Sequence, residues 1–182
     1  APETLKQSLP HVEHRIIGSN AVSLRASQRA AEELGYRVLN LGSMIEGESC
    51  QVAVAMAGLI RGILRDGTPS APPCCVLFGG ETTVTMGPNP GKGGRNQEFV
   101  LAFLHKLGQE GIGRVVVLSA GTDGEDGPTD AAGAVGAPPL SDDAGDFLRR
   151  HDAYHFFDRV GGLLHTGLTG TNVMDVCVIL VR

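Results

Sequence analysis

The chain has 182 residues, 42% of them apolar, which suits one packed domain or one domain with a piece of another. A formal net charge of -5 argues against a nucleic-acid-binding surface. The longest apolar runs are too short to span a bilayer and no secretory leader is visible, so no membrane partner is expected. Cys50, Cys74, Cys75 and Cys177 form no C-x-x-C pair. They read as thiols in a reducing compartment, the cytosol or the mitochondrial matrix, and neither a disulfide framework nor a zinc site is expected. The first residue is Ala1 and not Met, as in a fragment.

Residues 1–14 read as a polar, extended lead-in. Arg15-Ile16-Ile17 reads as a short strand, followed by Gly18 and a cap at Ser19 or Asn20, whose oxygen can accept from the next turn. A helix then runs to Leu34, with Ala21, Leu24, Ala31 and Leu34 on one face and Gly35 as its stop. Tyr36 to Leu41 reads as a strand. Glu48 to Arg65 fits a second helix, with Val52, Ala55, Met56, Leu59 and Ile63 at helical spacing and Gly67 at its end. Thr68 to Pro73 is proline-rich and is the best candidate domain boundary.

Cys74 to Phe78 is a continuous apolar run, as in a buried strand. Gly79-Gly80-Glu81 interrupts it, and Thr82 to Met86 resumes in extended residues. Gly87 to Gly94 is a loop, and Arg95 to Leu107 is a helix burying Phe99, Val100, Phe103, Leu104 and Leu107, with Gly108 as the stop. Arg114 to Ser119 is a buried strand ending in an acidic, glycine-rich loop. Short helices are expected near Asp130–Val135, Ser141–Arg150 and Asp158–Leu164, and Met174 to Val181 is the last strand. The alternation gives an α/β layered sandwich with a mainly parallel or mixed sheet.

Three constellations could carry chemistry. The first runs from Gly79-Gly80-Glu81-Thr82 to Gly91-Lys92-Gly93-Gly94-Arg95-Asn96-Gln97-Glu98. A buried strand feeds a flexible loop that opens a helix, and a helix N-terminus offers unpaired N–H groups to an anion. Lys92 adds a mobile charge and Arg95 a forked one. The spacing is neither a Walker A loop nor G-x-G-x-x-G, since three residues separate Gly87 from Gly91 and Asn96 stands where the last glycine would. A solvent loop with ordinary basic residues would share part of this composition.

The second is Ser119-Ala-Gly-Thr122-Asp123-Gly-Glu125-Asp126-Gly127, with Asp130 beyond, just past an apolar strand. Ligands gather at such strand ends. Its carboxylates suit Mg²⁺, or one could take a hydroxyl proton. It is not an EF-hand, because Ala134 stands at the twelfth position. The third is Thr166-Gly-Leu-Thr169-Gly-Thr171-Asn172-Val-Met-Asp175, hydroxyls on close-approach backbone. Surface turns rich in Asp, Gly and Thr would look alike. His11, His14, His105, His151, His155 and His165 read mostly as surface residues, and no nucleophile elbow is present.

Taken together, Leu77-Phe-Gly-Gly-Glu-Thr-Thr-Val-Thr, Gly91-Lys-Gly-Gly-Arg-Asn-Gln-Glu, Gly121-Thr-Asp-Gly-Glu-Asp-Gly-Pro-Thr-Asp-Ala-Ala-Gly-Ala and Thr169-Gly-Thr-Asn-Val-Met-Asp closely resemble the MOFRL domain of class II glycerate kinases. The resemblance divides the chain into residues 73–182, the MOFRL domain, and residues 1–70, the tail of a preceding Rossmann-like domain. It implies ATP-dependent phosphorylation of D-glycerate to 2-phosphoglycerate with Mg²⁺, in a cleft between two domains. On it, Arg95 and Lys92 meet phosphate or the substrate carboxylate, and Asp123 lies near the metal or the reacting hydroxyl. Asp123 and Asp126 are the implied metal ligands. Gly79, Gly80, Glu81, Thr82, Gly93, Gly94, Asn96, Thr122, Thr169, Thr171 and Asn172 are the implied substrate- or phosphate-binding residues.

Members of this family carry a large first domain with part of the site, including a lysine, and most of it is not in these 182 residues. The chain alone is therefore expected to show little or no kinase activity, and the missing domain or a full-length chain is its expected partner. Two other readings stand beside this one: an oxidoreductase acting on hydroxypyruvate, for which no dinucleotide fingerprint is present, and a non-catalytic assembly module.

Overall fold

The computed structural model describes residues 11–13 and 15–182. Most of the expected lead-in, and His14, lie outside the described residues. Among the described residues, seven strands form one sheet: β1 (Arg37–Asn40), β2 (Ile45–Glu48), β3 (Cys74–Thr83), β4 (Val115–Gly121), β5 (Gly133–Gly136), β6 (Leu163–Leu164) and β7 (Asp175–Val181). Their order is β1-β3-β7-β4-β5-β6, with β2 continuing along β3 beyond the end of β1. β1 and β2 run parallel to β3, whereas β7 lies antiparallel between β3 and β4. The sheet is therefore mixed. Elements on both sides of the proline-rich stretch share it.

Among the described residues, five helices flank the sheet: α1 (Asn20–Glu33), α2 (Ser49–Asp66), α3 (Arg95–Leu107), α4 (Ala144–Arg149) and α5 (Ala153–Val160). The pleat decides which face each side chain serves. Cys74, Val76 and Phe78 of β3 join Cys177, Ile179 and Val181 of β7 in the main core beneath α2 and α3. Cys75 and Leu77 point to the other face, where Leu24 and Ala31 of α1 cover them. β3 is thus buried on both faces, which is why it reads as an unbroken apolar run. α3 is enclosed nearly all round, with Phe99, Phe103 and Leu104 in the main core. Burying each such side chain contributes roughly 1.5–3 kcal/mol.

Several expectations change. Arg15 to Ile17 is not a strand, and both isoleucines are exposed. Leu34 lies exposed past the end of α1. α2 buries Ala53, Ala57, Ile60 and Ile63, a stripe next to the one expected, because small alanines let it approach its neighbours closely. Gly79 and Gly80 do not interrupt β3. They admit close neighbours: a Cβ on Gly79 would lie 2.0 Å from Asn20 Oδ1, and one on Gly80 2.1 Å from the Ile45 carbonyl. The helix expected near Asp130–Val135 is instead β5, paired with β4. The last short helix lies earlier, as α5, and is followed by β6.

Among the described residues, no helix is long and apolar enough to cross a membrane. All four cysteines are free, and burial pushes the Cys75 thiol up to about 11, so that thiol is a poor nucleophile.

Candidate active site

The sequence places an anion at the N-terminus of α3. The structure puts one there from within the chain. Asp126, 2% exposed, accepts from the backbone N–H of Asn96 (3.0 Å), the backbone N–H of Gln97 (2.9 Å) and the Asn96 side-chain amide (3.2 Å). The Glu98 N–H goes to the Gly94 carbonyl. The helix end is therefore already capped, and a ligand phosphate has no free N–H at these positions to accept from. Burial raises the Asp126 carboxyl to about 6 against the bonds that favour its charged form. Gly94 is needed beside it, since a Cβ there would meet Asp126 Cγ at 2.2 Å.

Two expected site residues are spent in this cap. Asp126 does not fit the metal role assigned to it, because the helix holds both its oxygens. Asn96 does not reach the cleft: it is 2% exposed, donates to Asp126 and accepts from the Ser119 hydroxyl at 2.6 Å. Gly79 and Gly80 are likewise taken up in packing, against Asn20 and Ile45. The Asn20 side chain is not the expected cap acceptor. It donates to the carbonyls of Val173 and Asp175, both at 2.8 Å, and so ties α1 to the start of β7.

Arg95, the first residue of α3, carries the positive charge of the site. Its Nε and Nη2 donate to the two carboxylate oxygens of Asp175 at 2.6 and 3.0 Å. Its Nη1 lies 3.4 Å from Glu81 at the end of β3. Asp175 hydrogen bonding, opposed by burial, holds the guanidinium above its ordinary range. The side chain remains 30% exposed. A two-point grip fixes the plane of the guanidinium, with Glu81 beside the remaining Nη1 and both residues at the wall of one cleft.

Asp123 stands beside this pair. A Cβ on Gly121 would meet Asp123 Oδ1 at 2.9 Å and Asp175 Oδ1 at 3.6 Å, so both carboxylates flank that glycine. The half-buried Asp123 accepts from the Glu125 N–H at 3.2 Å and from the Asn172 amide at 3.1 Å. Thr122 and Thr169 stitch the two loops together: Thr169 Oγ1 donates to the Thr122 carbonyl at 2.6 Å, and Thr122 Oγ1 donates to Met174 and accepts from the Val173 N–H. Thr171 N–H donates to Thr169 Oγ1 at 3.3 Å. Glu81, Arg95, Asp123 and Asn172 are thus brought to one edge of the sheet.

Lys92 is not brought there. Its Nζ sits 3.6 Å from the centroid of the Tyr154 ring and 3.8 Å from Asp130, which also accepts from the Tyr154 hydroxyl at 2.7 Å. A cation over an aromatic face with a carboxylate alongside is already satisfied.

A cleft of about 540 Å³ opens beside Arg95, lined by Glu81, Thr82, Met86, Pro90, Gly93 and Gly94, with Glu98 and His151 also in its wall. His151 Nδ1 lies 2.9 Å from Glu98 Oε2. Burial raises the Glu98 carboxyl, and the His151 contact opposes that rise. The sequence places Glu98 and Asp175 inside two of the constellations without giving either a role, and His151 reads there as a surface residue. For Glu98 a signal existed: it falls one helical turn after Arg95, on the same face. Among the described residues, no group of three or more His, Cys, Asp or Glu side chains could hold a metal ion.

Residues 74–175 match the MOFRL family, starting at the first residue after the proline-rich stretch. The chain is 37% identical to a protein of Pyrococcus horikoshii named glycerate 2-kinase, over 98% of this chain and 42% of that one. It is 38% identical to a putative hydroxypyruvate reductase of Agrobacterium vitis, over 98% of this chain and 42% of the relative. The crystal structure of a glycerate kinase from Thermotoga maritima superposes with a TM-score of 0.86 at 32% identity, covering 96% of this chain and 43% of that one. The chain thus spans less than half the length of these relatives.

Proposed function

The chain belongs to the MOFRL family, and on that premise we propose that it supplies one wall of a glycerate kinase active site, where ATP passes its γ-phosphoryl group to D-glycerate to give 2-phosphoglycerate. The observation that supports this best is the Arg95–Asp175 pair. Phosphoryl transfer demands positioning and neutralisation of charge, with little covalent work for the protein. A guanidinium held in one plane at the wall of the cleft provides both. Asp123, fixed by Asn172, orients the acceptor hydroxyl or the nucleotide's counter-ion. Mg²⁺ would offset phosphate charge when bound, and a cation that is carried by the nucleotide and keeps several waters needs no more than one or two protein carboxylates. Free thiols fit a reducing compartment, the cytosol or the mitochondrial matrix.

The rest of the site comes from a partner segment corresponding to the preceding part of the relatives. The test is glycerate-dependent ADP release by this chain alone and with that part of the Pyrococcus relative supplied in trans, with ³¹P NMR identifying the product. Activity is expected only in the mixture, and it should vanish with Arg95→Ala. Release that ignores glycerate or Arg95 overturns the reading. The name of the Agrobacterium relative favours a second one, so hydroxypyruvate-dependent NADH oxidation belongs in the same assay. Phosphorylation without oxidation is the expected outcome.

A further inference from the structure

We propose that His151 is a second functional group of the cleft, an imidazole whose Nε2 accepts the proton of the ligand's hydroxyl; this rests on the phosphoryl-transfer reading above. Four observations lead there. Glu98 is 5% exposed and its carboxylate meets the His151 ring at 2.9 Å. Such a carboxylate orients an imidazole and commits Nδ1 as the donor, which leaves Nε2 as an acceptor. His151 lines the same cleft as Arg95 and Glu81. Glu98 follows Arg95 by one turn of α3, so one helix face presents both the charge-neutralising group and the support for the acceptor.

The fourth observation is the backbone. His151 has φ +51°, a conformation that side chains other than glycine adopt at a cost. Its neighbours hold it there. The Gly91 N–H donates to the Arg150 carbonyl at 2.7 Å, and the Lys92 N–H donates to Asp152 Oδ1 at 3.0 Å. The Tyr154 N–H donates back to the Lys92 carbonyl at 3.0 Å. A Cβ on Gly91 would collide with Asp152 at 2.5 Å. The glycine loop and the segment around His151 therefore clamp each other, and the ring stands at the cleft wall between them.

Among the described residues, the carboxylates that act on the ring are Glu98 from α3 and Glu48 from the end of β2. Glu48 is engaged by Thr85 through its N–H (3.1 Å) and its hydroxyl (2.5 Å), and leaves Nδ1 to Glu98. In the transfer, the acceptor oxygen forms a bond to the γ-phosphorus as the bond from that phosphorus to the β-bridging oxygen breaks. ADP leaves, and the hydroxyl proton moves to Nε2. The imidazolium so formed is stabilised by Glu98 and returns its proton to water.

Nitrogen-15 NMR at pH 7.5 tests this directly, on histidine-labelled and arginine-labelled chain mixed with the partner segment of the reconstituted assay. The His151 ring is expected as the Nδ1–H tautomer with bare Nε2, and D-glycerate is expected to shift Nε2. A ring protonated at Nε2 alone overturns the proposal, because it would then be Glu98 that donates. Arg95 separates the two readings. If D-glycerate shifts Arg95 Nε and leaves His151 unmoved, this proposal falls and the kinase reading stands; if neither moves, both fall. In the reconstituted assay, His151→Asn keeps a residue that tolerates positive φ. It should lower kcat by about 100-fold, the low end for general-base removal, and abolish the acidic limb of the pH profile. A variant that keeps that limb overturns the assignment.

Discussion

Arg95 and Asp175 lie 80 residues apart and form a two-point ion pair that joins the first residue of α3 to the first residue of β7. Asp175→Asn removes half of that grip while keeping the shape. The guanidinium is then free to turn, and kcat/KM in the reconstituted assay should fall by roughly 10-fold or more, with a larger share in kcat than in KM. Arg95→Lys should behave similarly, because an ammonium cannot reproduce the fork. Either variant at near-normal kcat/KM would show that the pair is structural only.

Lys92 carries the opposite expectation. Its charge is spent on Tyr154 and Asp130, so Lys92→Met should leave kcat within about threefold of the parent, a change of well under 1 kcal/mol. Steady-state kinetics of Lys92→Met beside Arg95→Lys decides whether one or both basic residues meet phosphate.

Asp126 makes stability depend on pH. Its folded carboxyl titrates near 6, above the ordinary value of 3.8, so between about pH 4 and 6 the folded state binds the extra proton. Stability from this group is therefore fully present below pH 4 and is lost as pH rises through 6. Urea melts at steps from pH 4.5 to 7.5 should show the parent losing on the order of 2–3 kcal/mol relative to Asp126→Asn, whose cap cannot ionise. A constant difference between the two proteins would mean that the cap is unperturbed.

Gly79→Ala should destabilise the fold by about 1–3 kcal/mol, because its Cβ would enter the space of the Asn20 side chain. In an Asn20→Ala background the same change should cost much less. The double-mutant cycle reads that coupling from thermal melts, and strict additivity would disprove the contact.

The amino-acid pattern discloses the frame of this fold well. β3 and α3 lie where the apolar run and the helical spacing put them, and Gly67 and Gly108 end their helices as expected. Local periodicity fails where tertiary contacts decide. The stretch at Asp130–Val135 lies across β4 and becomes β5, a pairing that spacing within the stretch does not reveal. The candidate site shows the same division. Arg95 and Glu81 are legible from a charged, glycine-rich context. Asp126 and Asn96 look equally functional, yet they face each other in the interior. What tells them apart is which carboxylate reaches the end of α3, and that follows from how the loop after β4 folds back over Gly94.

The position of β7 has a consequence for how the molecule assembles. It is the last strand in chain order, and it is hydrogen-bonded on both sides, to β3 and to β4. The two strands that carry the ligand-facing loops are therefore joined only through β7. During synthesis the ribosome releases β3, α3 and β4 with a gap at the centre of the sheet, open to wrong partners, because pairings so distant in sequence form slowly. Asp175, at the leading end of β7, meets Arg95 in the same step that fills the gap. Completion of the sheet and arming of the candidate site are thus one event, and half-folded chains would carry an Arg95 that nothing yet aims.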